Sequence, residues 1–156
     1  EKVAVFREVF PHITLSTDVI CGFPGETIEA FENTLKLIQR VKPDVVNVSK
    51  FFARPKTAAL QMSAETVSKP EINRRSSETA KVSKQIALER NQLWVGWSGD
   101  IFVDEKGKVA GSWVGRNLAY KAVTVLDPED LLGKTLRVRI LRAFSTHLFG
   151  AIEAQY

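Results

Sequence analysis

Two kinds of residue in this sequence are placed to do chemistry. One is a pair of glycines around a proline that close a β-branched run. The other is a set of arginines and lysines interleaved with aromatic residues. The first reads Ser16-Thr17-Asp18-Val19-Ile20-Cys21-Gly22-Phe23-Pro24-Gly25-Glu26-Thr27. Gly22 and Gly25 let the backbone turn sharply and approach a ligand, while Pro24 stiffens the loop between them. The same residues also read as a plain Gly/Pro turn ahead of a helix. The second lies in segments 106–121 and 134–142, whose only charged side chains are basic, whereas acids gather at Asp100–Glu105 and Asp127–Asp130. Segregated signs can present a polyanion-binding face although the net charge is only +4. For the charge alone, a solvated basic surface is the better reading. The single cysteine, Cys21, offers no disulfide framework, which fits a reducing cytoplasm. His12 and His147 are too isolated for a metal site and read as structural.

These residues need elements to position them. The chain has 156 residues, enough for one ordinary domain or two small ones, and its 44% hydrophobic and 26% charged content is that of a globular protein. No apolar run approaches the roughly 20 residues that span a bilayer, and EKVAVFREVF has no signal-peptide pattern. No membrane partner is expected. Residues 2–9 read as the end of a helix, with Val3, Phe6 and Val9 or Phe10 on one stripe, stopped by Pro11. His12–Cys21 reads as a strand. A helix follows from about Glu26 to Arg40, with Ile28, Phe31, Leu35 and Ile38 on one face and Glu26 and Glu29 in its first turn. Lys42-Pro43-Asp44 breaks it, and Val45–Phe52 is a second strand.

The result is a β–loop–α–turn–β unit of parallel type, whose loop leaves the C-terminal end of its first strand, where α/β folds place ligands. Two parallel strands and one helix cannot bury both faces of a sheet, so the unit calls for more sheet upstream. Glu1 is not an initiator methionine, and the chain reads as a fragment.

Residues 63–92 read as a basic helical connector. Its thin apolar seam is Ile72, Thr79, Val82, Ile86 and Leu93, with Arg74, Arg75, Lys81, Lys84 and Arg90 over the rest. From Leu93 the pattern changes to short strands: Leu93–Val103, Lys108–Val114, Tyr120–Leu126, Thr135–Ala143 and Thr146–Glu153. Five strands in so short a stretch suggest a small closed antiparallel barrel, because closure removes exposed edges. In the fourth strand Leu136, Val138 and Ile140 share one face and Arg137 and Arg139 the other. Two or more of Trp94, Trp97 and Trp113 are expected in the core, leaving Tyr120 and any exposed Trp to stack on bases. The fold class is therefore α/β plus all-β: a piece of a larger parallel sheet in 1–62, which the family resemblance below makes an incomplete (β/α) barrel, a connector in 63–92, and a small barrel in 93–156.

Taken as words, three blocks carry a family resemblance in order. TDVICGFPGET resembles the segment after the fifth barrel strand of the MiaB-like radical S-adenosylmethionine (SAM) tRNA methylthiotransferases. Pro43–Ser49 with Phe51-Phe52-Ala53-Arg54-Pro55-Lys56-Thr57-Ala58-Ala59 resembles their sixth strand and its loop, with Ala53 and Lys56 where small polar and Gly residues are usual. Trp113–Val123, then Leu132–Ile140 and Thr146–Ile152, resemble the TRAM domain, an OB-like RNA-binding barrel.

The resemblance implies that Gly22, Phe23, Pro24, Gly25, Glu26 and Arg54 lie on the SAM side of the barrel, Arg54 facing the SAM carboxylate or a tRNA phosphate. Lys108, Arg116, Asn117, Tyr120, Lys121, Arg137, Arg139 and Arg142 would bind tRNA. The GRNLAYK block is similar to the archaeal and eukaryotic type, which acts on threonylcarbamoyl-adenosine beside the anticodon. The acidic TRAM segment of the branch that modifies a ribosomal protein is not seen. The family's two 4Fe–4S clusters are held by six cysteines that this chain lacks, so the resemblance implies an inactive fragment that needs the N-terminal part of the same enzyme. The alternative is a non-catalytic RNA-binding module of the OB/TRAM type.

Overall fold

The computed structural model describes residues 1–62 and 66–153. The expected helix at 63–65 and the end of the last expected domain at 154–156 lie outside the described residues. The chain forms two compact units, Leu15–Ile86 and Glu1–Thr14 with Ala87–Tyr156.

In the first unit, β1 (Ser16–Cys21) and β2 (Val45–Lys50) pair in parallel from Ser16↔Val45 to Cys21↔Lys50 and are joined by α2 (Ile28–Val41). The helix begins two residues later than its pattern suggests. Thr27 caps it, its Oγ1 accepting from the Ala30 N–H at 3.0 Å. Glu26 thus precedes the helix, and only Glu29 meets the dipole from its first turn. Phe31 and Ile38 are buried, while Ile28 is exposed. Lys42 in the left-handed region ends the helix, its N–H reaching the Ile38 carbonyl. Among the described residues β1 and β2 pair only with each other, and Ile20 and Val45 stay exposed.

A short helix, α3 (Ala58–Gln61), and α4 (Lys69–Gln92) follow. The residues that α4 buries are Arg75, Ser76, Thr79, Ser83, Ile86, Ala87 and Asn91. Their three- and four-residue spacing is that of one helix face. Thr79 and Ile86 were expected on that face, and Arg75 was expected outside it. Leu93 lies beyond the helix end and is exposed.

In the second unit, α1 (Lys2–Val9) buries none of its residues. The strand expected from Leu93 starts only at Ser98. Trp94 and Val95 donate backwards to the carbonyls of Asn91 and Gln92, and Gly96 then takes φ +89°, so residues 93–96 are turns. The strands are β3 (Ser98–Lys106), β4 (Ser112–Arg116), β5 (Ala122–Leu126), β6 (Thr135–Ala143) and β7 (Leu148–Ile152). They close a barrel in the order β3-β4-β5-β7-β6, with β6 returning to β3.

The barrel is mixed, not purely antiparallel as expected: β5 pairs with β7 in parallel through Val123↔Leu148 and Thr124↔Phe149. An odd ring cannot alternate direction throughout, so a closed five-stranded barrel must contain a parallel neighbour pair. Its core is Trp94, Ile101, Val103, Trp113, Val123, Val125, Leu131, Val138, Ile140 and Leu148. Each large aliphatic side chain buried there contributes about 1.5–3 kcal/mol.

Candidate functional site

The loops that leave the C-terminal ends of β1 and β2 lie side by side. The Phe51 N–H donates to the Cys21 carbonyl at 2.8 Å, and the Phe23 and Phe51 rings meet edge to face at 5.1 Å. Gly22 has φ +81°, and a Cβ on it would come within 2.3 Å of Ile72 Cγ1, so only glycine fits. Gly25 also has a positive φ, Pro24 is buried and Phe23 is exposed. Lys56 takes φ +65°, the conformation a glycine would adopt more cheaply. Arg54 is exposed and has no carboxylate partner among the described residues.

Glu26 is already engaged. Its Oε2 accepts from the Gly22 N–H at 2.8 Å and from Arg75 Nη1 at 2.7 Å. Arg75, only 3% exposed, also donates to the Glu26 carbonyl and, through Nε, to Glu71 Oε1. Its guanidinium lies 5.4 Å from the centre of the Phe31 ring. Burial works against the Arg75 charge, yet Glu71 and Glu26 hold its pKa above the ordinary value. Glu71, hydrogen-bonded to Arg74 and Arg75, is lowered to about 2. The helix pattern gave no sign of this Arg75–Glu26 clasp, because the partners are far apart in sequence. Cys21 is buried beside Thr79 Oγ1, and burial raises its thiol pKa. Among the described residues no group of three or more His, Cys, Asp or Glu could hold a metal ion.

In the barrel, Arg137 and Arg139 face outward as their alternation predicts, but they are not free. Arg137 Nη1 lies 3.5 Å from Asp100, and Arg139 Nε lies 3.1 Å from Glu153, which Arg137 also approaches. Two carboxylates thus balance these two guanidiniums, although each exposed pair is worth only about 0–1 kcal/mol.

Two expected contact residues turn inward. Lys121 is 7% exposed, its ammonium donating to Asn91 Oδ1 at 2.9 Å, and Asn117 is 6% exposed, its Oδ1 accepting from the N–H groups of Ala119 and Lys121. Both build the β4–β5 turn and present little surface to a ligand: the turn's backbone N–H groups use the Asn117 oxygen, and the Lys121 ammonium is taken up by Asn91. Lys108 is exposed in the β3–β4 turn, at the opposite end of β4 from Arg116. All three tryptophans pack in or against the core. His12 lies against Trp94 with ring centroids 4.7 Å apart.

Exposed cations and rings collect at one end of the barrel. Tyr120 is 75% exposed at φ +61°, a conformation that costs a bulky residue about 1–3 kcal/mol. The Arg116 guanidinium sits 5.4 Å from its ring centre and also pairs with Asp104. Arg142 owes its exposure to a β-bulge. Strict alternation after Val138 and Ile140 would turn it inward, but the register shifts between Ile140 and Arg142. Its guanidinium then lies 5.3 Å from the Phe144 ring centre, and Phe144 stacks on His147 at 4.6 Å. The two rings flank a tight turn and escaped notice in the sequence, where His147 read as structural.

No family model matches the chain. It is 35% identical over 155 residues, 97% of the chain, to a tRNA-2-methylthio-N(6)-dimethylallyladenosine synthase of Roseiflexus sp.. It is 35% identical over 97% of the chain to a probable threonylcarbamoyladenosine tRNA methylthiotransferase of Pyrococcus horikoshii, and 33% identical over 99% to one of Archaeoglobus fulgidus. The chain spans 32% of the first of these relatives and 35% of the other two.

Proposed function

Since this chain belongs to the tRNA methylthiotransferase family, of whose curated members it spans about a third, we propose that it is the C-terminal part of such an enzyme. On this reading residues 1–62 end a radical SAM barrel, 63–92 connect, and 93–156 are a TRAM domain holding tRNA in the cytoplasm. The observation that carries the reading is the similarity along nearly the whole chain to enzymes that differ in nucleoside but share the modification. The GRNLAYK block favours threonylcarbamoyl-adenosine as the substrate nucleoside.

The residues fit part of a SAM site. Phe23 and Phe51 offer an apolar ledge at the strand ends, and exposed Arg54 is available for a carboxylate. Glu26 would act indirectly, by holding the Gly22 N–H, and not as a ligand of SAM. SAM, when bound, supplies the radical precursor and the methyl group. The chain does not fit a 4Fe–4S cluster, since its one cysteine is buried and its thiol pKa is raised. Cluster ligands belong to the rest of the enzyme. The open edges of β1 and β2 suit pairing with further strands of a larger sheet.

For tRNA, the outward cations Lys108, Arg116, Arg137, Arg139 and Arg142 supply charge, and Tyr120 a ring. Asn117 and Lys121 shape the turn between them. The test is to express the full-length protein that carries this chain, reconstitute it anaerobically, supply tRNA and SAM, and digest the RNA for mass spectrometry of nucleosides. The methylthio derivative of threonylcarbamoyl-adenosine is expected. A methylthio derivative of isopentenyl-adenosine would keep the reaction and change the substrate, and no methylthio nucleoside would overturn the reading.

A further inference from the structure

We propose that the end of the barrel formed by the β4–β5 and β6–β7 turns is a two-platform site for unpaired nucleobases, with Tyr120 as one platform and the Phe144–His147 stack as the other. The proposal rests on the RNA-binding reading above and assigns it a place and a ligand, two neighbouring bases of single-stranded RNA.

Three independent observations converge there. First, the parallel pairing of β5 with β7 through Val123↔Leu148 starts both strands at the same end, so the turns that precede them, 117–121 and 144–147, are neighbours. Adjacent strands lie about 5 Å apart, which sets the two turns side by side. Asn91 links them directly. Its Oδ1 accepts from Lys121 Nζ at 2.9 Å, and its Nδ2 donates to the Phe144 carbonyl at 2.7 Å.

Second, each turn carries a ring with a guanidinium against it: Arg116 with Tyr120 and Arg142 with Phe144. A ring with a cation beside it suits an RNA strand, because the base stacks on the π-face while the cation meets the adjoining phosphate.

Third, both presentations depart from local backbone preference. Tyr120 is kept at positive φ in an exposed turn where glycine or asparagine would fit without strain, and the bulge after Ile140 brings Arg142 out of the barrel. Neither departure adds burial, since Tyr120 and Arg142 are both exposed. Strain and bulges of this kind are found where a side chain is aimed at a ligand.

On the outer face of β6 the charges are balanced. Arg137 pairs with Asp100 and shares Glu153 with Arg139, whereas Arg142 has no carboxylate partner among the described residues. The chemistry chooses single strands over duplex, because paired bases offer no free face to a ring.

The test uses the whole chain, a fluorescein-labelled single-stranded RNA of about ten nucleotides, and the same sequence annealed to its complement, read by anisotropy. The single strand should bind more tightly than the duplex. Tyr120→Ala, and His147→Ala with Phe144→Ala, should each weaken single-strand binding about 5- to 150-fold, which is 1–3 kcal/mol per stacked base, with the salt slope unchanged. The ring-preserving changes Tyr120→Trp and His147→Phe should stay within about threefold of the parent, and the emission of the Tyr120→Trp variant should be quenched by RNA. These two guard against misfolding as the cause of the loss. If the chain binds RNA but the alanine variants bind as well as the parent, or the duplex binds as tightly, the platforms are wrong and the RNA-binding reading survives. If the chain binds no RNA of either form, both fall.

Discussion

Arg75→Ala tests whether the clasp between α4 and the loop after β1 is as important as its geometry suggests. The guanidinium is 3% exposed and makes bonds of 2.7 Å to Glu26 Oε2, 2.8 Å to the Glu26 carbonyl and 2.9 Å to Glu71 Oε1. Truncation leaves the Glu26 carboxylate, itself 14% exposed as a side chain, with only the Gly22 N–H among those partners. Removing one member of a buried pair costs about 3–5 kcal/mol, and the partial exposure of both acids places this case near the low end, about 3 kcal/mol. At roughly 4–8 °C per kcal/mol for a unit the size of Leu15–Ile86, its melting temperature should fall by about 12–24 °C.

Two probes separate the units. All tryptophans, Trp94, Trp97 and Trp113, belong to the barrel unit, so their fluorescence follows the barrel, while the far-ultraviolet circular dichroism follows the helices. The variant should lower the midpoint seen by circular dichroism more than that seen by fluorescence. Arg75→Met combined with Glu26→Leu should be less destabilised than Arg75→Met alone, because no stranded charge remains. An Arg75→Ala chain that unfolds within about 0.5 kcal/mol of the parent would refute the clasp.

Three further outcomes follow. The stabilising effect of Glu71, measured against Glu71→Gln by urea unfolding at several pH values, should be full above the ordinary glutamate pKa of about 4.3 and disappear as pH falls toward about 2, because the folded-state pKa is the lower one. Asn91→Ala should cost about 1–3 kcal/mol by the same unfolding assay, since it removes an acceptor from a buried ammonium and a donor from the Phe144 carbonyl. Glu153→Gln should strengthen RNA binding by anisotropy, because it releases Arg137 and Arg139 from a competing carboxylate at an expected stability change within about 1 kcal/mol.

Patterns carried by consecutive residues were legible. The alternation from Leu136 to Ile140 located the barrel's inner face, and the Gly22–Gly25 loop between its strand and helix emerged from β-branching and turn residues. What stayed hidden depends on partners distant in sequence or on single-residue shifts. Arg75 reads as a surface arginine until Glu26, from another element, is folded against it. Lys121 reads as an exposed base until Asn91 supplies its acceptor. The bulge that exposes Arg142 leaves no mark in residue types, since Leu141 and Arg142 fit either register. The parallel β5–β7 pair could have been deduced from the count of five strands, because an odd closed ring requires one. Phe144 and His147 were each visible, but their mutual stacking exists only once the tight turn brings them together.

The claim that the barrel holds RNA through its outward cations is tested most directly by titrating the chain with tRNA at several salt concentrations. With two to five of Lys108, Arg116, Arg137, Arg139 and Arg142 meeting phosphates, log affinity should fall against log salt with a slope of about −1.4 to −4.5. Arg142→Ala should flatten that slope by about 0.7 to 0.9. Absent binding at low salt, or an affinity indifferent to salt and to Arg142, would contradict the account.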